Sequence, residues 1–315
     1  MKVGTPLPWS PSRLLLGLAL LAAPVAAAQT DSGLGGQAAP FLTQAPDART
    51  AAMGQAGVAL PAGASALSLD PAGLAGLTGQ DLAVSHSLLP LGASLESAEY
   101  GVALGGGAAL GFSGEFMDMG SVDRSSFDAG GNLVADGSFT PYGYSVGVAY
   151  AGQVANLALG ALVKLVGQDI DGHGATTGAA DAGLRYALAR SGFSLGAAVQ
   201  DLGGTLYGSA LPTLCRAGVS YSDLGVAGGF SLSVDAALPT ASASQASFLA
   251  GAEVALARYM TLRAGYQLAD RSGLDGLSGP SAGVGFGDGH WRADYAWVPH
   301  GDLGTDNQFS LSLQF

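Results

Sequence analysis

Polar and apolar residues alternate along most of the chain with a period of two. The C-terminal end is the clearest case: Asn307, Phe309, Leu311, Leu313 and Phe315 fall on one face, and Gln308, Ser310, Ser312 and Gln314 on the other. This period marks a strand with one apolar face, because successive side chains leave a pleated backbone on opposite sides. Met260, Leu262, Ala264 and Tyr266 likewise oppose Thr261, Arg263 and Gln267, while Trp291, Ala293, Tyr295 and Trp297 oppose Arg292 and Asp294. About fourteen such segments follow residue 81, centred near 84, 102, 112, 146, 162, 184, 197, 217, 231, 252, 263, 283, 294 and 311. Asp-Gly pairs at 136–137, 171–172, 275–276 and 288–289 supply turn chemistry between them.

The destination of the apolar face separates two all-β architectures. In a soluble sandwich the apolar face fills a core and the polar face meets water. In a membrane barrel the apolar face meets lipid and the polar face lines a lumen. Composition favours the barrel. Only 11% of the 315 residues are charged, 48% are hydrophobic and mean hydropathy is +0.34. The polar faces are largely Gly, Ala and Ser, thin cover for a surface in water but suited to a narrow lumen. There are 51 Gly, about twice the usual share of roughly 7%. Gly283, Gly285 and Gly287 on one face suggest close backbone packing at a barrel bend. An even number of antiparallel strands closes the sheet, and strands of about 9–11 residues cross a bilayer when tilted. The sequence therefore predicts an antiparallel transmembrane β-barrel of about 14 strands. A net charge of −12 argues against a nucleic-acid partner. The uncharged windows 51–69 and 137–163 are broken by Pro and Gly, so neither reads as a transmembrane helix.

Three regions are expected. Residues 1–28 read as a signal peptide: Lys2 and Arg13 precede an apolar run from Leu14 to Val25, and Ala26-Ala27-Ala28 suits cleavage. Residues 29–80 do not alternate and read as a plug or cap segment. Asp70 there stands where it can cap a turn that starts with Pro71. Residues 81–315 form the barrel. Export with one cysteine, Cys215, rules out an internal disulfide.

The order of several motifs resembles the PorV/PorQ-type outer-membrane proteins, themselves similar to FadL-like barrels of fourteen strands with an N-terminal plug. The resemblance rests on Ala48-Arg49-Thr50-Ala51-Ala52-Met53-Gly54, Gly57-Val58-Ala59, Ala64-Ser65-Ala66-Leu67 and Asp70-Pro71-Ala72-Gly73-Leu74-Ala75. Downstream it extends to Phe139-Thr140-Pro141-Tyr142-Gly143-Tyr144-Ser145, Asp181-Ala182-Gly183-Leu184-Arg185-Tyr186 and Arg216-Ala217-Gly218-Val219-Ser220-Tyr221, so that it covers about 45–300. The family usually carries Asn where this chain has Asp70, which keeps the cap and adds a charge. The resemblance implies a plug motif at Arg49, Met53, Gly54, Asp70, Pro71, Ala72 and Gly73. It also implies a role in transport or protein secretion across the bacterial outer membrane, with secretion-system components or cargo as partners. The FadL-like alternative is an uptake channel whose partner is a hydrophobic small molecule. A structural or adhesin-like exported β-protein is the reading from another class.

Charge placement is the main candidate chemistry. Glu99, Glu115, Lys164, Asp181, Arg185, Arg216, Asp235, Glu253, Arg263, Arg292 and Asp294 all fall opposite the apolar face. An Arg or Lys facing lipid at the midplane costs about 2–4 kcal/mol, which a lumen position avoids. They are expected to rigidify the interior or to line a ligand path. Phe315, an aromatic residue ending an apolar face, resembles the C-terminal signature read by the barrel-assembly machinery, and outer-membrane lipid is the expected surround. Three Gly-x-Ser-x-Gly matches, at 143–147, 192–196 and 279–283, lie in or beside strands with no helix following, so no catalysis is expected. The four His show no metal-ligand spacing, and neither metal nor other cofactor is expected.

Overall fold

The alternating segments pair edge to edge. The computed structural model describes residues 38–60, 63–189, 191–223, 229–240, 246–269 and 279–315. The signal peptide expected over 1–28 and the start of the segment expected over 29–80 lie outside the described residues, as does the Asp-Gly pair at 275–276. The first strands are β1 (Gln80–Leu88), β2 (Ser94–Gly105) and β3 (Ala108–Asp118), then β4 (Val122–Phe127) and β5 (Leu133–Phe139). Next come β6 (Tyr142–Val154), β7 (Leu157–Ile170), β8 (His173–Ala187) and β9 (Phe193–Gly203), then β10 (Thr205–Leu206) and β11 (Ser209–Ala210). The remainder are β12 (Leu214–Asp223), β13 (Phe230–Pro239), β14 (Ser247–Ala257), β15 (Met260–Ala269), β16 (Gly279–Gly287), β17 (Trp291–Pro299) and β18 (Thr305–Gln314).

Fourteen of these form one closed antiparallel barrel, in which β1 joins β18 and every other neighbour is the next barrel strand along the chain. Each of the fourteen expected centres falls inside one barrel strand. Closure runs in register from Asp81 opposite Gln314 to Leu88 opposite Asn307. The Phe315 N–H and C=O exchange 3.0 Å hydrogen bonds with Gln80, one residue before the expected start of the barrel. The other four strands form two small hairpins, β4–β5 and β10–β11, which pair only with themselves.

The two ends differ. Connections at the end holding Gln80 and Phe315 are two to six residues long, while the opposite end carries both hairpins. The outer face is apolar, with Phe112, Val146, Val163, Leu195, Val234, Leu262 and Phe309 exposed along its strands. Aromatic side chains gather toward both rims. Phe193, Tyr221 and Phe230 pack together at the short-turn end, and Phe116 stacks on Tyr142 at the other. An apolar band between aromatic girdles matches the hydrocarbon core and its two interfaces.

Turn chemistry holds in part. Asp171 and Gly172 join β7 to β8 with both φ positive, at 56° and 77°, as a two-residue hairpin requires. Asp136 and Gly137, expected between strands, lie within β5 instead. The register jumps there from Asp123 opposite Ser138 to Ser125 opposite Ala135, so the pair forms a bulge. The hairpin reverses at Asp128, whose Oδ1 accepts from the Gly130 and Asn132 N–H groups.

Candidate functional site

The N-terminal segment runs through the lumen from the hairpin end to the short-turn end. Its path is set by polar side chains on the wall and by wall glycines that let it approach. At the hairpin end the Ala38 N–H donates to the Ala210 carbonyl and the Ala39 N–H to Gln168 Oε1. Asp47 caps a one-turn helix, Ala48–Ala52, by accepting from the Thr50 N–H at 2.9 Å. The Ala48 N–H donates to Ser310 Oγ at 2.7 Å, and Ser281 Oγ donates to the Ala52 carbonyl at 3.0 Å. Farther along, Asp235 Oδ2 accepts from the Gly57 and Val58 N–H groups at 2.7 and 2.9 Å.

The expected plug motif has distinct placements. Met53 packs on the backbone of Gly251 and Gly265. Gly54 has φ 63°, and a Cβ on it would lie 2.7 Å from Tyr266 N, so both conformation and space demand glycine. Asp70 caps the 3-10 turn Pro71–Leu74 through the Ala72 N–H at 2.8 Å. Gly73 closes on Ala66 of the preceding turn. Pro71 rests on Gly160 and Asp70 on Gly183, where any Cβ would meet them well inside contact distance. Of the three glycines expected to allow close backbone packing, Gly283 lies against the Tyr295 carbonyl and also clears room for Ala52, Gly287 lies against the backbone of Trp291 and Arg292, and Gly285 clears room for the Asp294 and Arg263 side chains. Several wall glycines therefore also seat inward neighbours.

The lumen charges gather into clusters. Arg49 binds Glu253 through two bonds, Nε to Oε2 at 2.9 Å and Nη2 to Oε1 at 3.1 Å. Glu253 Oε2 also accepts from Arg263 Nε at 2.6 Å; Arg263 Nη1 donates to Asp294 Oδ1 at 2.6 Å, and Arg292 Nε to Asp294 Oδ2 at 2.8 Å. Across the barrel, Lys164 Nζ lies 2.9 Å from Asp181 Oδ2 and 2.5 Å from Asp201 Oδ1. Arg216 donates to Gln200 Oε1 and to the Gln55 carbonyl at 2.8 and 3.1 Å. Glu115 accepts from Ser145 and Glu99 from Ser68. The Arg185 charge acts on Asp70.

Asp201 and Gln200 escape alternation because two neighbours in sequence cannot share a face of a regular strand. A bulge resolves this. The register passes from Ala180 opposite Leu202 to Ala182 opposite Val199, and Asp201 adopts φ 56°. Both side chains are buried on the lumen side. Two adjacent polar residues inside an otherwise alternating segment were the available signal.

Burial of the Asp70 carboxyl raises its pKa from the ordinary 3.8 to about 7, against the opposing pull of the Ala72 N–H and the Arg185 charge. Burial alone would lower Arg49, but the charge and hydrogen bonds of Glu253 outweigh it and hold the guanidinium above its usual range.

A close-packed apolar cluster occupies the hairpin end. Ala38, Ala39 and Phe41 of the threading segment pack with Val166, Ala179, Leu206 and Leu211, and Met117 and Met119 border them. Phe41 is 2% exposed and its ring sits against Gly143, where a Cβ would lie 2.5 Å from the ring edge.

A closed barrel of fourteen strands has solved counterparts. Its fold is similar to that of solved aromatic-hydrocarbon transporters. The Pseudomonas putida toluene transporter TodX superposes with a TM-score of 0.60 at 16% identity, over 87% of this chain and 100% of that one. The Ralstonia pickettii toluene transporter TbuX gives 0.58 at 16%, over 85% and 98%. The monoaromatic hydrocarbon channel CymD gives 0.59 at 12%, over 85% and 97%. No family model and no curated protein sequence matches the chain. The likeness is one of fold, and the neighbours are channels, not enzymes.

Proposed function

We infer that this protein is an outer-membrane channel for uptake of hydrophobic small molecules, with single-ring aromatic hydrocarbons as the leading class. The carrying observation is the apolar cluster at the hairpin end, in which aliphatic and thioether side chains pack around one aromatic ring of the N-terminal segment, a place that becomes an apolar chamber when that ring withdraws. Three structural neighbours with this architecture are described as toluene transporters or a monoaromatic hydrocarbon channel. With short turns toward the periplasm and longer loops outside, the chamber faces the medium, and the signal peptide proposed for residues 1–28 delivers the chain for export.

A hydrophobic solute entering the chamber takes the place of Phe41. Burying a side chain of that size is worth about 1.5–3 kcal/mol, and an apolar solute of similar area recovers a comparable amount. Exchange is therefore close to balanced, as suits a site that must fill and empty. Cells making the protein are expected to accumulate labelled toluene faster than cells without it. Phe41→Ala, which leaves a ring-sized gap, is expected to speed uptake, and Phe41→Trp to slow it. Equal accumulation with and without the protein overturns the reading. The secretion role implied by the PorV/PorQ resemblance stands as the second reading, and the order of sequence motifs is its support.

A further inference from the structure

Two cavities lie along the same stretch of wall, away from the apolar cluster. The first, of about 650 Å³, opens at the short-turn end between Tyr259 and Trp291 and reaches inward to Arg49. The second, of about 40 Å³, lies beneath His300 at the hairpin end and is lined by Ala51, Gln267, Ser281, Asp306 and Gln308. Both are walled by β15 to β18. Arg49 borders the first and Ala51 the second, so one turn of helix, Ala48–Ala52, stands between them. The small cavity has a mixed lining, and two of its buried acceptors, Asp306 Oδ1 and Gln308 Oε1, make no hydrogen bond to the protein. Buried acceptors of this kind require donors, and hydrated solutes supply them.

We propose that the barrel carries a second, polar passage along β14–β18, closed by the one-turn helix and latched by the Arg49–Glu253 pair, which admits water and small uncharged hydrophilic solutes when the latch opens. The lining chemistry sets the class. Arg49, Arg258 and Arg292 face Asp81 and Asp288 in the large cavity, and Arg49 and Arg292 are already paired with Glu253 and Asp294, so no block of uncompensated charge selects an ion; Gln44, Gln55, Gln267, Gln308 and Ser281 supply neutral hydrogen-bonding groups in the small one.

The latch is built to open at low cost. Breaking a buried ion pair is expensive when one partner is left bare. Here Glu253 is not left bare, because Arg263 still binds it at 2.6 Å from the wall side. Arg49 is not left bare either: it already borders the large open cavity and is 14% exposed, so its guanidinium hydrates as it withdraws. A helix of five residues has no independent stability. What holds it is Arg49, the Asp47 cap, the Ser281 and Ser310 bonds, and the fit of Ala52 against Gly283. Removing the one charged tie loosens the barrier without touching the barrel ladder.

The test is liposome swelling in arabinose with the full-length chain, its barrel checked by heat-modifiable gel migration. Arg49→Ala and Glu253→Gln are each expected to raise the swelling rate several-fold over wild type. Ser68→Ala, which removes a hydrogen bond between the N-terminal segment and Glu99 of the wall away from the latch, is expected to leave the rate at the wild-type level. Wild-type rates in the first two variants overturn the proposal. A rise in all three also overturns it, since the plug then loosens as a whole rather than at a latch. If Arg49→Ala fails to fold, Glu253→Gln carries the test. Toluene accumulation is measured separately, so a failure of the uptake reading leaves this result standing and the reverse holds too.

Discussion

At the scale of single residues, Asp70 shows how one atom can tie the plug to acidity. Its carboxyl caps the turn Pro71–Leu74 while buried against Gly183, and Oδ2 makes no hydrogen bond within the protein. A carboxylic acid fits that place better than a carboxylate. Because the seated pKa, about 7, lies above the ordinary 3.8, the seated turn holds the proton more tightly than the unseated one. Its stabilising contribution is complete below about pH 4 and is lost as pH rises through about 7. Amide hydrogen exchange at Ala72 to Ala75, corrected for intrinsic rate, is expected to show stronger protection at pH 5 than at pH 8. Asp70→Asn keeps the cap and removes the charge, so it is expected to flatten that dependence and to protect the turn at pH 8. An unchanged profile in Asp70→Asn assigns the dependence to another group. The cap and the Pro71 start were legible in sequence, because capping uses neighbouring residues. The burial of Asp70 was not, because it comes from Gly160 and Gly183, roughly a hundred residues away in the chain.

At the scale of elements, alternation exposed what faces lipid and missed what does not. The barrel strands must present apolar side chains on every second position, and all fourteen were legible for that reason. The hairpin β4–β5 meets water on both sides: almost every residue is exposed, so no face is selected and no period appears. The β10–β11 hairpin is two residues per strand, too short for any period, yet Leu206 is buried in the apolar cluster. The consequences differ. β4–β5 contributes no strand to the barrel and touches it through exposed contacts such as Arg124 with Asp171, a class of ion pair worth about 0–1 kcal/mol. Replacing residues 123–138 with a short Gly-Ser turn is expected to leave barrel assembly and melting temperature unchanged within about 2 °C, by the roughly 1 kcal/mol that such contacts supply. Gel migration and thermal unfolding in detergent check this. A collapse of assembly would show that the hairpin guides folding of β3 onto β6.

At the scale of the whole molecule, the barrel and the segment inside it are held by different forces. The wall is a ring of backbone ladders in which each of the fourteen strands pairs with two others, and among the described residues no ladder includes one before Gln80. The N-terminal segment is held mainly by side chains, Asp235, Glu253, Ser281 and Ser310 from the wall, with a few backbone bonds near its ends and the packing permitted by wall glycine. The alternation of charge showed which residues face inward, but the pairing of those charges depends on how far each strand is staggered against the next and on what the plug brings. The eleven expected lumen charges therefore carried no partners until the barrel closed. This division predicts the outcome of deleting residues 29–78. The ladders remain, so the barrel still assembles and still migrates as a heat-modifiable species. The carboxylates of Asp235 and Glu253 lose plug partners but gain water, because the lumen that buried them is now open. The cost is a lower melting temperature rather than failure to fold. With both the one-turn helix and the turn Pro71–Leu74 gone, nothing spans the lumen between its two ends, and planar-bilayer recordings are expected to change from small or absent steps to a large, steady conductance. An unaltered conductance in the deleted protein would mean that wall side chains collapse inward to close the pore, and would place the barrier in the barrel itself.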